Sequence, residues 1–333
     1  MRNIASSLLC CLLFAGCSLA AYSTSYTVTD LGSYMRPTCI NDSGVVAGYS
    51  LGIPKHAFAW QNGTTTWLPE LGYTSSGARG INNSGQIVGL LVSSDGTDRG
   101  VLWQNGSATD LGFSGVALVI NDAGQIAGWS TDNSGSGSTV ITNLGSLGGP
   151  TNTVTRISNT GVIAGSANTA DGYTDSNNKW HAYRHAYLGT PSALTDLGTL
   201  GGQESYGISM NDSGQVVGAS ESADGSHHAF LWQNGSMTDL GPGSATGINN
   251  SGLIIGFPAP GGPSILANGS WQSLSSMIPT DSGWTLQQVI ALNNEGTIIG
   301  VGLQNGILHG FLLNPVDSAG NTPKGIGVLR FAK

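Results

Sequence analysis

One nine-residue phrase recurs seven times along the chain: INDSGVVAG at 40–48, INNSGQIVG at 81–89, INDAGQIAG at 120–128, ISNTGVIAG at 157–165, MNDSGQVVG at 210–218, INNSGLIIG at 248–256 and LNNEGTIIG at 292–300. From Asn41 through Asn82, Asn121, Ser158, Asn211 and Asn249 to Asn293 the steps are 41, 39, 37, 53, 38 and 44 residues, averaging 42. A period of roughly 20–50 residues restricts a chain to folds in which one small unit is stacked on copies of itself. Each phrase is a turn between two apolar steps. Asn and Asp tolerate left-handed backbone geometry there, and Gly adopts it freely.

The fifth unit, 203–243, shows what is repeated. A run from Ser205 to Met210 ends at Asn211-Asp212-Ser213-Gly214, and Gln215 to Gly218 forms a second run. His228-Ala229-Phe230-Leu231-Trp232 is aromatic-rich, as strands are. Asn234-Gly235 is a strong hairpin signal leading into a fourth run, Met237 to Leu240. Four antiparallel strands in one period match a propeller blade. Tight Asn-Gly hairpins join antiparallel neighbours, which disfavours a parallel β-helix. Consecutive apolar pairs such as Val45-Val46, Ile254-Ile255 and Ile298-Ile299 fit sheets covered on both faces. The chain opens with Tyr26 to Gly32, which matches a fourth strand (compare Thr109 to Gly112 and Thr238 to Gly241), and its last unit stops at a third strand, His309 to Asn314. The expected fold is therefore all-β, a β-propeller of seven four-stranded blades whose N-terminal strand completes the last blade and leaves no open edge. The third unit lacks a HAFLW-like strand after Ser134-Gly135-Ser136-Gly137, so that blade is expected to be degenerate.

These residues together resemble the HAF-repeat family of bacterial secreted proteins. The tripeptide that carries the resemblance is His56-Ala57-Phe58 and His228-Ala229-Phe230, relaxed to His185-Ala186-Tyr187 and His309-Gly310-Phe311. The segments Thr195 to Gly202 and Ile278 to Leu286 are similar as well. The resemblance covers about residues 26–316 and implies an exported, propeller-like protein with no firmly assigned reaction. Many members end in a sorting tail with a Pro-Glu-Pro signature, which 317–333 lacks.

Composition narrows the function classes. Eleven Lys and Arg against 19 Asp and Glu give a net charge of −8. Charge this sparse and acidic argues against nucleic acid and against anionic membranes as partners. Residues 1–21 read as an export signal, with Arg2, an apolar stretch from Leu8 to Ala15, then small residues. Two processing routes stay open: cleavage after Ala20 or Ala21, or acylation of Cys17 in the lipobox-like Leu13-Phe14-Ala15-Gly16-Cys17, which would anchor without spanning. Residues 22–316 form the single repeat domain and 317–333 a polar tail. Cys10 and Cys11 belong to the signal, so no disulfide framework is expected. Cys39 reads as a buried, inert thiol. An exported, monomeric protein without a cofactor is the expectation, meeting a membrane only through a lipid anchor.

Turn lengths separate two sides of such a ring. The first-to-second and third-to-fourth turns are tight, whereas second-to-third connections vary, with a long insertion from Ala167 to Arg184. Function concentrates in variable loops on a rigid scaffold. The insertion holds Asp171, Tyr173, Asp175, Asn177, Asn178, Trp180, His181, Tyr183 and Arg184; Asp224 and His227 occupy the matching loop of the fifth unit. Aromatic plates beside amides and carboxylates suit sugars, while the plainer reading is a solvated loop. The repeated His56, His185, His228 and His309 stand apart around the ring, so a structural bond to an Asp such as Asp30, Asp110, Asp196 or Asp239 is expected and no metal site. Gly48-Tyr49-Ser50-Leu51-Gly52 matches G-x-S-x-G only by letter, because its Ser follows a strand of an all-β unit. The leading expectation is a non-catalytic module for a glycan or another extracellular polymer. The rivals are a polysaccharide lyase or glycoside hydrolase using His181, Tyr183 and carboxylates among Asp175, Glu204, Glu221 and Asp224, and a structural surface protein.

Overall fold

Short apolar runs punctuated by Asn-Gly and Asn-Asp-Ser-Gly turns give 25 strands among the described residues. The computed structural model describes residues 25–130, 140–141 and 143–316. The export segment with Cys17, the Ser134–Gly137 link and the tail from 317 lie outside the described residues.

The chain enters with β1 (Ser25–Ser33). Unit one is β2 (Met35–Ile40), β3 (Val46–Ser50), β4 (Ala57–Gln61) and β5 (Thr64–Trp67). Unit two is β6 (Ser75–Ile81), β7 (Ile87–Val92), β8 (Asp98–Gln104) and the first half of β9 (Ser107–Ile120). The second half of β9 opens unit three, followed by β10 (Ile126–Ser130) and β11 (Val140–Ile141). Unit four is β12 (Gly148–Ile157), β13 (Ile163–Thr174), β14 (Trp180–Thr190) and β15 (Ala193–Asp196). Unit five is β16 (Gly201–Met210), β17 (Val216–Ser222), β18 (His227–Gln233) and the start of β19 (Ser236–Ile248). The end of β19 opens unit six, with β20 (Ile254–Pro258), β21 (Ser264–Ala267) and β22 (Ser270–Ser273). Unit seven is β23 (Trp284–Leu292), β24 (Ile298–Gln304) and β25 (Ile307–Val316).

The architecture is all-β and propeller-like. Because β9 and β19 each serve two units, five sheets of 4, 6, 4, 7 and 4 strands result. β1 pairs antiparallel with β25, from Ser25 opposite Val316 to Ser33 opposite His309, the pairing expected of the opening segment. In unit three, β11 pairs with β10 in parallel, Ile126 opposite Val140, so this unit departs from the antiparallel pattern of the others.

Two local rules explain the repeated letters. Asn62, Asn105, Asn234, Asn268 and Asn305 have φ of 48–52°, each followed by Gly at 75–84°. Two positive φ values in a row are what a two-residue hairpin requires, and Asn-Gly supplies them at low cost. The Gly ending each phrase (Gly48, Gly89, Gly128, Gly165, Gly218, Gly256, Gly300) has a different reason. A Cβ there would overlap the carbonyl oxygen of the inner strand, at Arg36, Gly77, Val116, Thr153, Tyr206, Ser244 and Gln288 in turn. Opposite Gly48, Gly218 and Gly300 stand Phe58, Phe230 and Phe311, all fully buried.

The phrases also join the units. Each of Asn41, Asn82, Asn121, Asn211, Asn249 and Asn293 accepts with Oδ1 the N–H four residues ahead. With Nδ2 it donates to the carbonyl of the matching residue in the following unit; Asn293 donates back to Asn41. Only Ser158 lacks the amide, so its step to Asn211 is not made this way. A second tier completes the circuit. The backbone N–H groups of Asp42, Asn83, Asp122, Asn159, Asp212, Asn250 and Asn294 each donate to the next residue's side chain, and Asn294 donates to Asp42. The donor–acceptor distances are 2.7–2.9 Å except for Asn159 to Asp212, at 3.5 Å.

Asn249→Ala removes a buried side chain whose loss orphans the Leu253 N–H and takes one of two donors from the Asn293 carbonyl of the next unit. It should lower unfolding stability by about 1–3 kcal/mol in a denaturant titration. Tyr26 behaves oppositely. It is buried, its hydroxyl has no hydrogen-bond partner and burial pushes its ionisation up. Tyr26→Phe should leave the melting temperature equal or higher, because an unpaired buried hydroxyl opposes folding.

Candidate binding face

Second-to-third connections leave one side of the sheets, and in the fourth unit that connection is not a loop. The expected insertion from Ala167 to Arg184 is a β-hairpin arm: β13 and β14 stay paired through Gly172–Ala182, Tyr173–His181 and Thr174–Trp180. Its tip is a turn in which the Asp175 carboxylate accepts the N–H groups of Asn177 and Lys179 at 2.9 Å, with Asn178 at φ 60°. An insertion that pairs its own backbone projects as a rigid element.

Strand alternation sorts the aromatic residues. On one face Tyr173 stacks on His181 (5.2 Å between ring centroids) and on Tyr183 (5.9 Å). The reverse face carries Trp180, which is 56% exposed and lies over Gly172. His181 Nε2 meets Asp175 Oδ2 at 2.9 Å. The N–H of Lys179, then His181, hold the Asp175 carboxyl below its ordinary range. At the base, Arg184 donates to Thr153 Oγ1 (2.7 Å) and to the Ser166 carbonyl (3.1 Å). Asp171 contributes its carbonyl, which accepts from Thr169 Oγ1 at 3.0 Å.

The other expected residues divide. Asp224 stays in its own turn, accepting from Ser222 Oγ, Ser226 Oγ and Ser226 N, which hold its carboxyl far below the ordinary range. His227 is exposed beside it, paired across the hairpin with Glu221. Glu204 instead meets Tyr206, whose hydroxyl donates to Glu204 Oε2 at 2.5 Å. Burial first, then the Glu204 bond, push that phenol up to about 12, while Arg184 pulls it down. Tyr206 and Glu204 thus form a hydrogen-bonded pair, while Glu221 accepts the Gln203 N–H at 2.8 Å and Asp224 keeps to its turn. Among the described residues no three His, Cys, Asp or Glu side chains are grouped to hold a metal. Ser50 of the G-x-S-x-G match accepts the His56 N–H at 3.0 Å.

Sequence reasoning missed a cleft where units six, seven and one meet. An open cavity of about 520 Å³ is lined by Arg36, Phe257, Gln287, Gln288, Val301 and Leu308. Arg36 Nη2 donates to Gln288 Oε1 at 3.0 Å. The available signal was a long polar side chain on an inner strand where other units carry Gly77, Val116 or Ser244. Cys39 is also half-buried rather than fully buried, and burial pushes its thiol up to about 11.

The repeated histidines are scaffold. His185 pairs with Asp196, His228 with Asp239 and His309 with Asp30, at 2.8–2.9 Å. Each Asp also accepts the N–H of the Gly two residues on. Two expected partners are exchanged. Arg99 occupies the histidine register of unit two and takes Asp110, while His56 takes Glu70 because Pro69-Glu70-Leu71-Gly72 replaces Thr-Asp-Leu-Gly there. The Asp196 bond raises His185 above its ordinary 6.5. For Asp196, burial raises the carboxyl but His185 and the Gly198 N–H more than offset it, and the net shift is downward. A raised histidine contributes stability below its unfolded value and loses it as pH rises through the folded value; a lowered carboxylate loses its contribution as pH falls. Asp196→Asn should therefore bring the His185 imidazole titration, followed by NMR, back toward 6.5. The stability gap between the parent and this variant should narrow as pH climbs above that point.

Comparison with known protein families and with curated protein sequences finds no match. Solved structures do match. The β-propeller domain of the Trilobed protease from Pyrococcus furiosus, described as having an open velcro topology, aligns over 90% of this chain and 98% of its own at 5% identity, with a TM-score of 0.52. The Pyrococcus horikoshii acylaminoacyl peptidase aligns over 86% of this chain at 11% identity and a TM-score of 0.40. Porphyromonas gingivalis dipeptidyl peptidase 4 aligns over 88% at 9% and 0.42. The chain spans about half the length of these two peptidases, 46% and 53%. At such identities the likeness of the first concerns fold alone: the chain has a propeller-like fold.

Proposed function

We propose that the seven units form one closed ring of blades, the third reduced, and that the ring is a non-catalytic binding module for a glycan or another extracellular polymer. The observation that carries the reading is the rigid arm of unit four, with Tyr173, His181 and Tyr183 stacked on one face and Trp180 exposed on the other. Flat rings beside hydroxyl-binding groups suit the apolar and polar patches of a sugar. The two circuits of hydrogen bonds, each returning to unit one, support closure. Export as a monomer completes the proposal, either cleaved after Ala20 or Ala21 or attached to a membrane through an acyl chain on Cys17 alone. A carbohydrate-active enzyme is the second reading, favoured by the Tyr206 hydroxyl hydrogen-bonded to the Glu204 carboxylate.

Incubating the protein with a polysaccharide panel, while scoring retention and product release separately, distinguishes the two. Retention without new reducing or unsaturated ends is expected. Tyr173→Ala and Trp180→Ala should each weaken retention at least several-fold with little change in melting temperature, since both side chains are about half exposed. Unchanged retention in both variants would remove the arm from the proposal.

A further inference from the structure

We propose that the cleft where units six, seven and one meet binds a small carboxylic acid with a flat apolar body, of the arylacetate kind. The cleft, of about 520 Å³, is lined by Arg36, Phe257, Gln287, Gln288, Val301 and Leu308. Arg36, Phe257 and Leu308 stand at strand ends away from the phrase turns: the start of β2, the end of β20 and the start of β25. No residue of the unit-four arm lines it, so this site stands apart from the polymer-binding reading.

Arg36 is the one charged residue among the six, and its charge is not balanced. Its Nη2 donates to Gln288 Oε1 at 3.0 Å, and no described residue accepts from its other N–H groups. Directly across the ladder stands Tyr49, whose ring carries two further cations, Lys55 at 5.3 Å and Arg79 at 5.2 Å from its centre. Among the Lys and Arg of the described residues only Arg99 pairs with a carboxylate. A half-buried guanidinium without a counter-charge favours an anion that joins it. Its planar fork matches the two oxygens of a carboxylate.

The backbone of β23 is shaped toward the same place. Each unit's first strand carries a bulge three residues before the second place of its phrase, as at Ile290 in β23. β23 adds another at Gln287, which has no partner between the pairs Leu286–Gly302 and Gln288–Val301. Successive residues of a regular strand face opposite ways, and a bulge re-aims one of them. Gln287 and Gln288 both reach the cleft as a result, and bring amide donors and acceptors beside Arg36.

The remaining lining is apolar, with Val301 buried and Phe257 and Leu308 half-buried. A flat ring against Phe257 and an acid group on Arg36 use both halves of the cleft. Tyr34 adjoins it through Leu308: its N–H donates to the Leu308 carbonyl at 2.9 Å, and its own carbonyl accepts the Leu51 N–H at 2.7 Å. Those bonds hold Tyr34 at φ 58°, a left-handed conformation uncommon for an aromatic residue, and leave it 58% exposed. Outliers held in this way gather at ligand sites.

The test is calorimetric titration of the full chain with sodium phenylacetate, against phenylacetamide and sodium acetate at equal ionic strength. Saturable binding of phenylacetate is expected, with the amide and acetate each weaker by about ten-fold or more. Arg36→Gln should weaken phenylacetate binding by about ten-fold or more, and Phe257→Ala several-fold. Gln287→Ala, at an exposed position, should cost several-fold and stands in if Arg36→Gln does not fold. Lys179→Gln removes the same charge from the arm and should change nothing, so that a loss in Arg36→Gln reports the cleft rather than net charge. No saturable binding of phenylacetate, amide binding as tight as that of the acid, or undiminished binding in the folded cleft variants overturns the proposal.

Discussion

One amide side chain does most of the organising in this fold. Asn at the second place of six phrases accepts from its own turn and donates to the next unit. An ionised Asp cannot combine those two tasks for want of a donor, while the shorter Ser158 accepts the Val162 N–H and meets Thr160 of its own turn. With Asn, side chain and backbone are satisfied together in a buried place, where an unpaired polar group is costly. The contact between units is therefore encoded in the same residues that form the turn. Ser158 is the exception that illustrates the rule. Its unit precedes the longest repeat step, 53 residues, and the Asn159 to Asp212 bond beside it is the longest of its tier, at 3.5 Å.

Packing follows from that join. The final Gly of each phrase lets the inner strand approach closely, and in three units the space across the sheet is filled by Phe58, Phe230 or Phe311. Small-against-large pairing of this kind fills an interior without voids. Farther out, the His–Asp pairs fix the third strand to the connection leading into the next unit, with the Asp also closing the Gly turn. Each unit therefore has one polar fastening at its phrase turn and, in units four, five and seven, a second at its His–Asp pair.

Much of this was legible in the letters. The phrase, the Asn-Gly hairpins, the match of Tyr26–Gly32 to a fourth strand and three His–Asp pairs all follow from repetition, because an error in one unit is corrected by six others. What repetition cannot reach is what occurs once. The arm of unit four reads as a loop, since turn-forming Asp171-Gly172 and Asp175 to Asn178 punctuate it; only its backbone pairing reveals strands. Arg36 lies before the phrase and outside what repeats, and a turn-capping carboxylate such as Asp224 has the same letters as a ligand-binding one. Cys39 reads as core from its apolar neighbours, and it does pack against the buried cluster of units one and two, though only half-buried itself.

The pairing of β1 with β25 sets a timetable for biogenesis. A polypeptide made from its amino end exposes Ser25–Ser33 long before the segment that must lie against it, 307–316. Contacts spanning so many residues form slowly, and an unmatched strand edge invites intermolecular pairing while it waits. The charged Asp30 and the Gly32 kink in that strand are suited to blunting such pairing until its partner arrives.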